Sequence, residues 1–256
     1  MLSSFTREKT TESTESTEKS SGGSIGKHGQ SGSKREVWRD AQVAGEYEAR
    51  RFATPLQRLK HARDVRVVLD LLGEVPSVRT VLDLPCGTGR LLPALRAAGY
   101  RAVGADLALE MLRAGRAHRP GEPSAIVQAD VERLPFHSGS FDGVVSLRFL
   151  FHLEGEERRR GLAEMRRVCR DGVLVAQVRY RWTLKQFARW LRSQIGLARR
   201  YRPSQGRAEL ARELESAGFE LVALRPVSRL FSDKALVLAR PPAKGRTVIA
   251  SETVVL

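Results

Sequence analysis

The stretch VLDLPCGTGR, Val81 to Arg90, narrows the choice of fold more than any other part of the chain. A short apolar, β-branched run stops on Asp83, and a Gly-x-Gly turn follows at once. Such a run reads as a buried strand. Gly87 and Gly89 permit the positive φ that a tight turn needs and let a ligand come close to backbone. The helix expected next, over GRLLPALRAAG, would offer its orphan N–H groups to a polar or anionic ligand group. Strand, glycine turn and helix in this order open a βαβ unit.

The rest of the chain continues the alternation. Helical spacing over Asp64–Leu72 places Val65, Val68, Leu69 and Leu72 on one side. Strands are expected over 80–84, 100–106, 124–130, 141–147 and 172–178, with helices over 89–99, 107–118 and 154–169 between them. Acids in the first turn of the 154–169 helix and arginines later in it suit the helix dipole. A further helix at 207–218 precedes two strands, 219–227 and 233–240, whose short link makes an antiparallel pair. The pattern predicts an α/β fold: a Rossmann-like, doubly wound, mostly parallel seven-stranded sheet with a C-terminal antiparallel strand pair. Ligands in such sheets bind beyond the C-terminal ends of the strands.

Composition sets the outer bounds. The 256 residues suffice for one sizeable core. Residues 1–36, rich in Ser, Thr, Glu, Gly and Lys, carry too little apolar surface to offset chain entropy and read as a disordered tail. The domain is expected over 37–240, with 179–204 as a lid-like insertion and 241–256 as an extension. No apolar run reaches the length that spans a bilayer, and the N-terminus has no secretory h-region. The expected location is therefore cytoplasmic. Cys86 and Cys169 are the only cysteines, so neither a disulfide framework nor a metal site is expected. The net charge of +15 favours anionic partners.

Three carboxylates, Asp83, Asp106 and Asp130, fall at successive predicted strand ends and would line one crevice. Asp106 stands about twenty residues beyond the turn, where an acid accepts hydrogen bonds from ribose hydroxyls. A nicotinamide dinucleotide would require G-x-G-x-x-G, but Leu92 occupies the third glycine position. Asp83 would also repel a pyrophosphate. The same acid suits a nucleoside ligand with amino and sulfonium groups, such as S-adenosylmethionine.

With these four segments in order, VLDLPCGTGR, VGADLALEML, QADVERLPF and FDGVVSLRFLFHL, the chain resembles the class I S-adenosylmethionine-dependent methyltransferases. The likeness is greatest to the small-molecule and quinone-biosynthesis group. It implies that Asp83, Pro85, Cys86, Gly87 and Gly89 surround the methionine part of the cofactor. Asp106 and Leu107 would hold ribose and flank adenine, Asp130 and Val131 the adenine edge, and Leu147 would close the pocket. Proline stands at 85 where the family usually has glycine, which removes an N–H and stiffens the turn. The resemblance implies methyl transfer to a small acceptor, lipophilic or anionic. An RNA methyltransferase and a cofactor-binding protein without turnover are the alternatives.

His152, just after the fourth strand, is the candidate general base, against the alternative of a loop histidine. Tyr47, Arg51, Arg148 and Tyr180 are candidates for contact with the acceptor. In the segment Arg179–Ser204, Leu184, Phe187, Leu191, Ile195 and Ala198 share an apolar face amid arginines and tryptophans. A lid over the acceptor, a contact with an anionic membrane surface through 181–202, and an RNA contact all fit it, as does a plain solvated basic face.

Overall fold

A computed structural model describes residues 54–120, 125–181, 183, 187, 190–192, 204–228 and 232–242. The expected tail, the C-terminal extension, Tyr47, Arg51 and most of the 179–204 segment lie outside these residues. The elements run α1 (Pro55–Gly73), β1 (Thr80–Asp83), α2 (Leu92–Ala97), β2 (Arg101–Asp106), α3 (Leu109–His118), β3 (Ala125–Gln128) and β4 (Phe141–Ser146). A 3₁₀ turn (Leu150–His152) leads to α4 (Gly155–Val168), β5 (Cys169–Arg179), α5 (Arg207–Ser216), β6 (Glu220–Pro226) and β7 (Lys234–Arg240).

The seven strands form one sheet in the order β3-β2-β1-β4-β5-β7-β6. β1 pairs in parallel with β2 and β4, β2 with β3, and β4 with β5. β7 is antiparallel to both of its neighbours, β5 and β6. The sequence pattern anticipates the β6–β7 pair; the insertion of β7 beside β5 emerges only in the sheet. The topological switch falls between β1 and β4, so the turns after β1, β2 and β4 meet at one sheet end.

Two apolar layers cover the faces. One holds Leu82, Val144, Leu162, Met165, Leu174, Leu210 and Phe219. The other packs Val68, Leu71 and Leu72 of α1 with Leu92 and Leu95 of α2 against Val81, Val145 and Val175. Each fully buried aliphatic side chain of this kind contributes roughly 1.5–3 kcal/mol. The α1 stripe differs from expectation. Its buried positions are 64, 68, 71 and 72, which places Asp64 on the inner face and leaves Val65 and Leu69 half-buried.

α1 opens with a complete capping box. Thr54 Oγ1 accepts from Gln57 N–H at 3.3 Å, Gln57 Oε1 accepts from Thr54 N–H at 3.2 Å, and Pro55 is the first helical residue. Thr54→Ala should lower stability by about 1 kcal/mol, read as a lower urea midpoint at unchanged slope. α2 begins at Leu92, not Gly89, because residues 86–92 are taken up by successive tight turns: Gly89 N–H bonds Cys86 C=O and Leu92 N–H bonds Gly89 C=O.

Candidate functional site

The turns after β1, β2 and β4 enclose a cleft of about 670 Å³. The glycine turn forms one wall, and Asp106 holds it in place. Asp106 Oδ2 accepts from Gly87 N–H at 2.7 Å, and Oδ1 accepts from Ala108 N–H at 2.9 Å. One carboxylate thus ties the turn after β1 to the turn after β2. Cys86 N–H bonds Ala105 C=O at 2.9 Å. The N–H groups of Cys86 and Gly87 in the turn are thus satisfied within the protein. Buried N–H groups need partners, and β2, paired alongside β1, supplies them. Gly87 and Gly89 have φ of +57° and +75°, as the turn requires.

Asp83 and Asp106 are buried side by side at this wall, 2% and 9% exposed. Burial pushes the Asp83 carboxyl well above its usual range, and the neighbouring Asp106 adds to the shift. Burial also raises Asp106, partly offset by the N–H donors of Ala108 and Gly87. Burial, then Asp83 and Asp106, hold the Cys86 thiol far above its ordinary pKa, so it is neither a thiolate nor a nucleophile. Among the described residues no cation pairs with Asp83. A buried carboxylate in that position favours a ligand that brings positive charge. An ionised carboxylate has about four acceptor sites, so Asp106 keeps acceptor capacity beyond its backbone donors.

A methyltransferase-domain family profile matches residues 82–176, the span from β1 through most of β5. The demethylmenaquinone methyltransferase of Beutenbergia cavernae is 40% identical over 107 residues, 42% of each chain. That of Mycobacterium sp. strain KMS is 32% identical over 174 residues, covering 60% of this chain and 73% of the relative. This chain belongs to the class I S-adenosylmethionine-dependent methyltransferases. The fold comparison agrees. The magnesium protoporphyrin IX methyltransferase of Synechocystis PCC 6803, solved with S-adenosylhomocysteine, superposes with a TM-score of 0.64 at 19% identity, covering 81% of this chain and 97% of that one. With the first of the curated relatives, the chain shares only about two-fifths of their length.

The lining of the cleft includes Asp83, Pro85, Cys86, Gly87, Asp106, Leu107, Asp130, Val131, Leu147, Arg148 and His152. Gly89 lies behind the turn, against Leu92 and Arg119, and does not line the cleft. Asp130 follows β3 by two residues. It sits in a turn of its own, where its Oδ1 accepts from Glu132 N–H at 3.1 Å and its C=O from Arg133 N–H at 3.0 Å. Tyr180 is set away from the cleft lining; it packs on the apolar core and bridges to Gln205. His152 lies on the 3₁₀ turn with its ring 4.7 Å from that of Phe151. Arg158 of α4 braces that turn. It donates to Leu150 C=O, to Glu213 of α5 and, at 3.1 Å, to Gln205 Oε1.

The cleft lining also contains residues that sequence reasoning passed over: His61 from α1, Phe149, Leu153, Glu154 and Glu157. His61 reaches the cleft because Asp64, one helical turn on, is buried on the inner face of α1. An acid in step with Val68, Leu71 and Leu72 was the available signal. Phe187, Trp190 and Leu191 of the 179–204 segment are exposed, with the Phe187 and Trp190 ring centroids 5.8 Å apart. No helix among the described residues is long and apolar enough to cross a membrane.

Proposed function

We propose that this chain binds S-adenosylmethionine in the cleft and transfers its methyl group to a small-molecule acceptor. The observation that carries the reading is Asp83, a buried carboxylate beside the glycine turn with no paired cation among the described residues. The cofactor supplies the activated methyl and, with it, the positive charge that Asp83 calls for. Asp106 accepts from ribose hydroxyls while it clamps the turn; Leu107, Asp130 and Val131 receive the adenine, and Leu147 closes that side. Catalysis rests on holding the acceptor in line with the methyl and excluding water. His152, on its braced 3₁₀ turn, takes a proton where the acceptor must lose one. Phe149 and Leu153 favour an acceptor with an apolar ring. The exposed Phe187, Trp190 and Leu191 support a lipophilic acceptor drawn from an anionic membrane surface.

The Asp83 shift gives a signed pH prediction. Folding raises this carboxyl, so the stability from its neutral form is full below the usual aspartate pKa of about 4 and is lost as pH rises through the folded value. A cationic ligand needs the ionised form, so affinity runs the other way and climbs with pH over that interval. Asp83→Asn should flatten both slopes, raise the melting temperature of the ligand-free protein and weaken S-adenosylmethionine binding about tenfold or more. Calorimetric titration from pH 5 to 8, with S-adenosylhomocysteine formation followed alongside, checks this. Unchanged affinity in Asp83→Asn would refute the assignment.

A further inference from the structure

Opposite the acidic cofactor wall, the cleft has a corner built on a different charge pattern. Asp64 of α1 is 5% exposed, inside the apolar layer between α1 and the sheet. Its Oδ2 accepts from Arg148 Nη2 at 3.0 Å, and its Oδ1 accepts from Gln177 Nε2 of β5 at 3.2 Å. Gln177 is fully buried. Arg148, two residues beyond β4, has a φ of +58°, the one non-glycine residue in the left-handed region among those described. An arginine there persists only where its surroundings fix it. Asp64 and, through Asp64, Gln177 are part of those surroundings. The same Nη2 lies 3.4 Å from His61 Nδ1. A guanidinium has no acceptor, so the imidazole accepts in this contact, and its remaining ring proton belongs on Nε2. Arg148 and His61 both line the cleft.

Resting on the methyl-transfer reading, we propose that Asp64 and Gln177 are positioning residues that aim Arg148, and that Arg148 with His61 forms an acceptor corner selecting a ring compound with a negatively charged oxygen. A planar guanidinium pinned at one end directs its other donors along fixed lines. His61 stands beside it. A guanidinium fixed in this way, at one end of a cleft that also contains Phe149, suits an aromatic ring bearing a phenolate or carboxylate.

The test uses the full chain loaded with S-adenosylhomocysteine and two fluorescent probes, 1-hydroxy-2-naphthoate and its uncharged methyl ester. The wild type should prefer the anion about tenfold, and Arg148→Gln should lose that preference. Asp64→Asn is the deciding variant because two roles predict opposite signs. If Asp64 only damps the arginine's field, removing its charge tightens anion binding. If it aims the guanidinium, the preference falls about fivefold or more despite the lost negative charge. Gln177→Met changes no charge, so it serves where Asp64→Asn folds poorly, and it should weaken the preference in the same direction. S-adenosylhomocysteine affinity should hold within about twofold in all three variants. A wild type that does not discriminate the probes, tighter anion binding in Asp64→Asn, or an unaffected Gln177→Met overturns the proposal. Failure of the wild type to bind S-adenosylhomocysteine would instead count against the cofactor reading. The probe titration on ligand-free protein then still reads the corner.

Discussion

Asp106→Ala should cost about two orders of magnitude in S-adenosylmethionine affinity. The variant removes the proposed acceptor for ribose hydroxyls and, in the same stroke, the partner of Gly87 N–H at 2.7 Å and of Ala108 N–H at 2.9 Å. Hydrogen bonds to a charged acceptor are worth about 1.5–3 kcal/mol each, so loss of ligand contact alone accounts for roughly a hundredfold. The slackened turn adds to it. Asp106→Asn should rescue little. An amide has one acceptor oxygen, and its NH₂ would face one of the two backbone N–H groups that the carboxylate now satisfies. Calorimetry on both variants decides the matter. Asparagine with near-native affinity would mean that the clamp on the turn is unimportant and that Asp106 acts through the ligand alone.

Gly115→Val should damage both stability and the cleft wall. A Cβ at this position of α3 would collide with the carbonyl, C and Cα of Thr88, between the two turn glycines. α3 lies against the backbone of the turn with no room for a side chain, so valine must push the helix and the turn apart. Overpacking of this kind costs about 1–3 kcal/mol, and a β-branched residue against backbone belongs at the upper end. The melting temperature should fall by several degrees, at about 2–4 °C per kcal/mol for a domain of this size. Cofactor affinity should fall with it because the displaced element is the cleft wall. Gly73→Ala is the matched control. It lies at the end of α1, where a Cβ would meet nothing within 4 Å, and should leave stability unchanged or raise it by roughly 0.5–1 kcal/mol. Equal melting temperatures for the valine variant and the wild type would show that α3 and the turn are not rigidly packed.

The placing of Asp83 and Asp106 in one cleft was legible in the sequence because its information is local. Asp83 and Asp106 close short apolar runs, and a strand end in a parallel sheet faces the ligand by construction. The destination of the turn's N–H groups was not legible, since it depends on β2 lying alongside β1 in a register that brings Gly104 opposite Asp83. The Asp64–Arg148–Gln177 cluster was hidden for a similar reason. Asp64, Arg148 and Gln177 are separated by more than eighty positions in one case and more than a hundred in another, and only the packing of α1 on the sheet brings them together. In α1 the apolar residues are dense enough to allow two faces, and tertiary packing selected the one with the acid. The central place of β7 left a trace that reads clearly in hindsight. Residues 235–239 are continuously apolar and fully buried, as a strand flanked on both edges should be, whereas β6 is only half-buried, as befits the sheet edge.

That order of strands bears on how the protein is made. A ribosome releases β5, and then β6, before residues 234–240, yet β7 is the strand that joins them. Until it emerges, the buried backbone edge of β5 has no partner on that side, and β6 has no place in the sheet. The parallel half can assemble while synthesis proceeds, but the second half waits for the arrival of β7. Chains truncated just before Lys234 should therefore be the species that chaperones hold and proteases cut, and inclusion of residues 234–240 should mark the abrupt onset of protection.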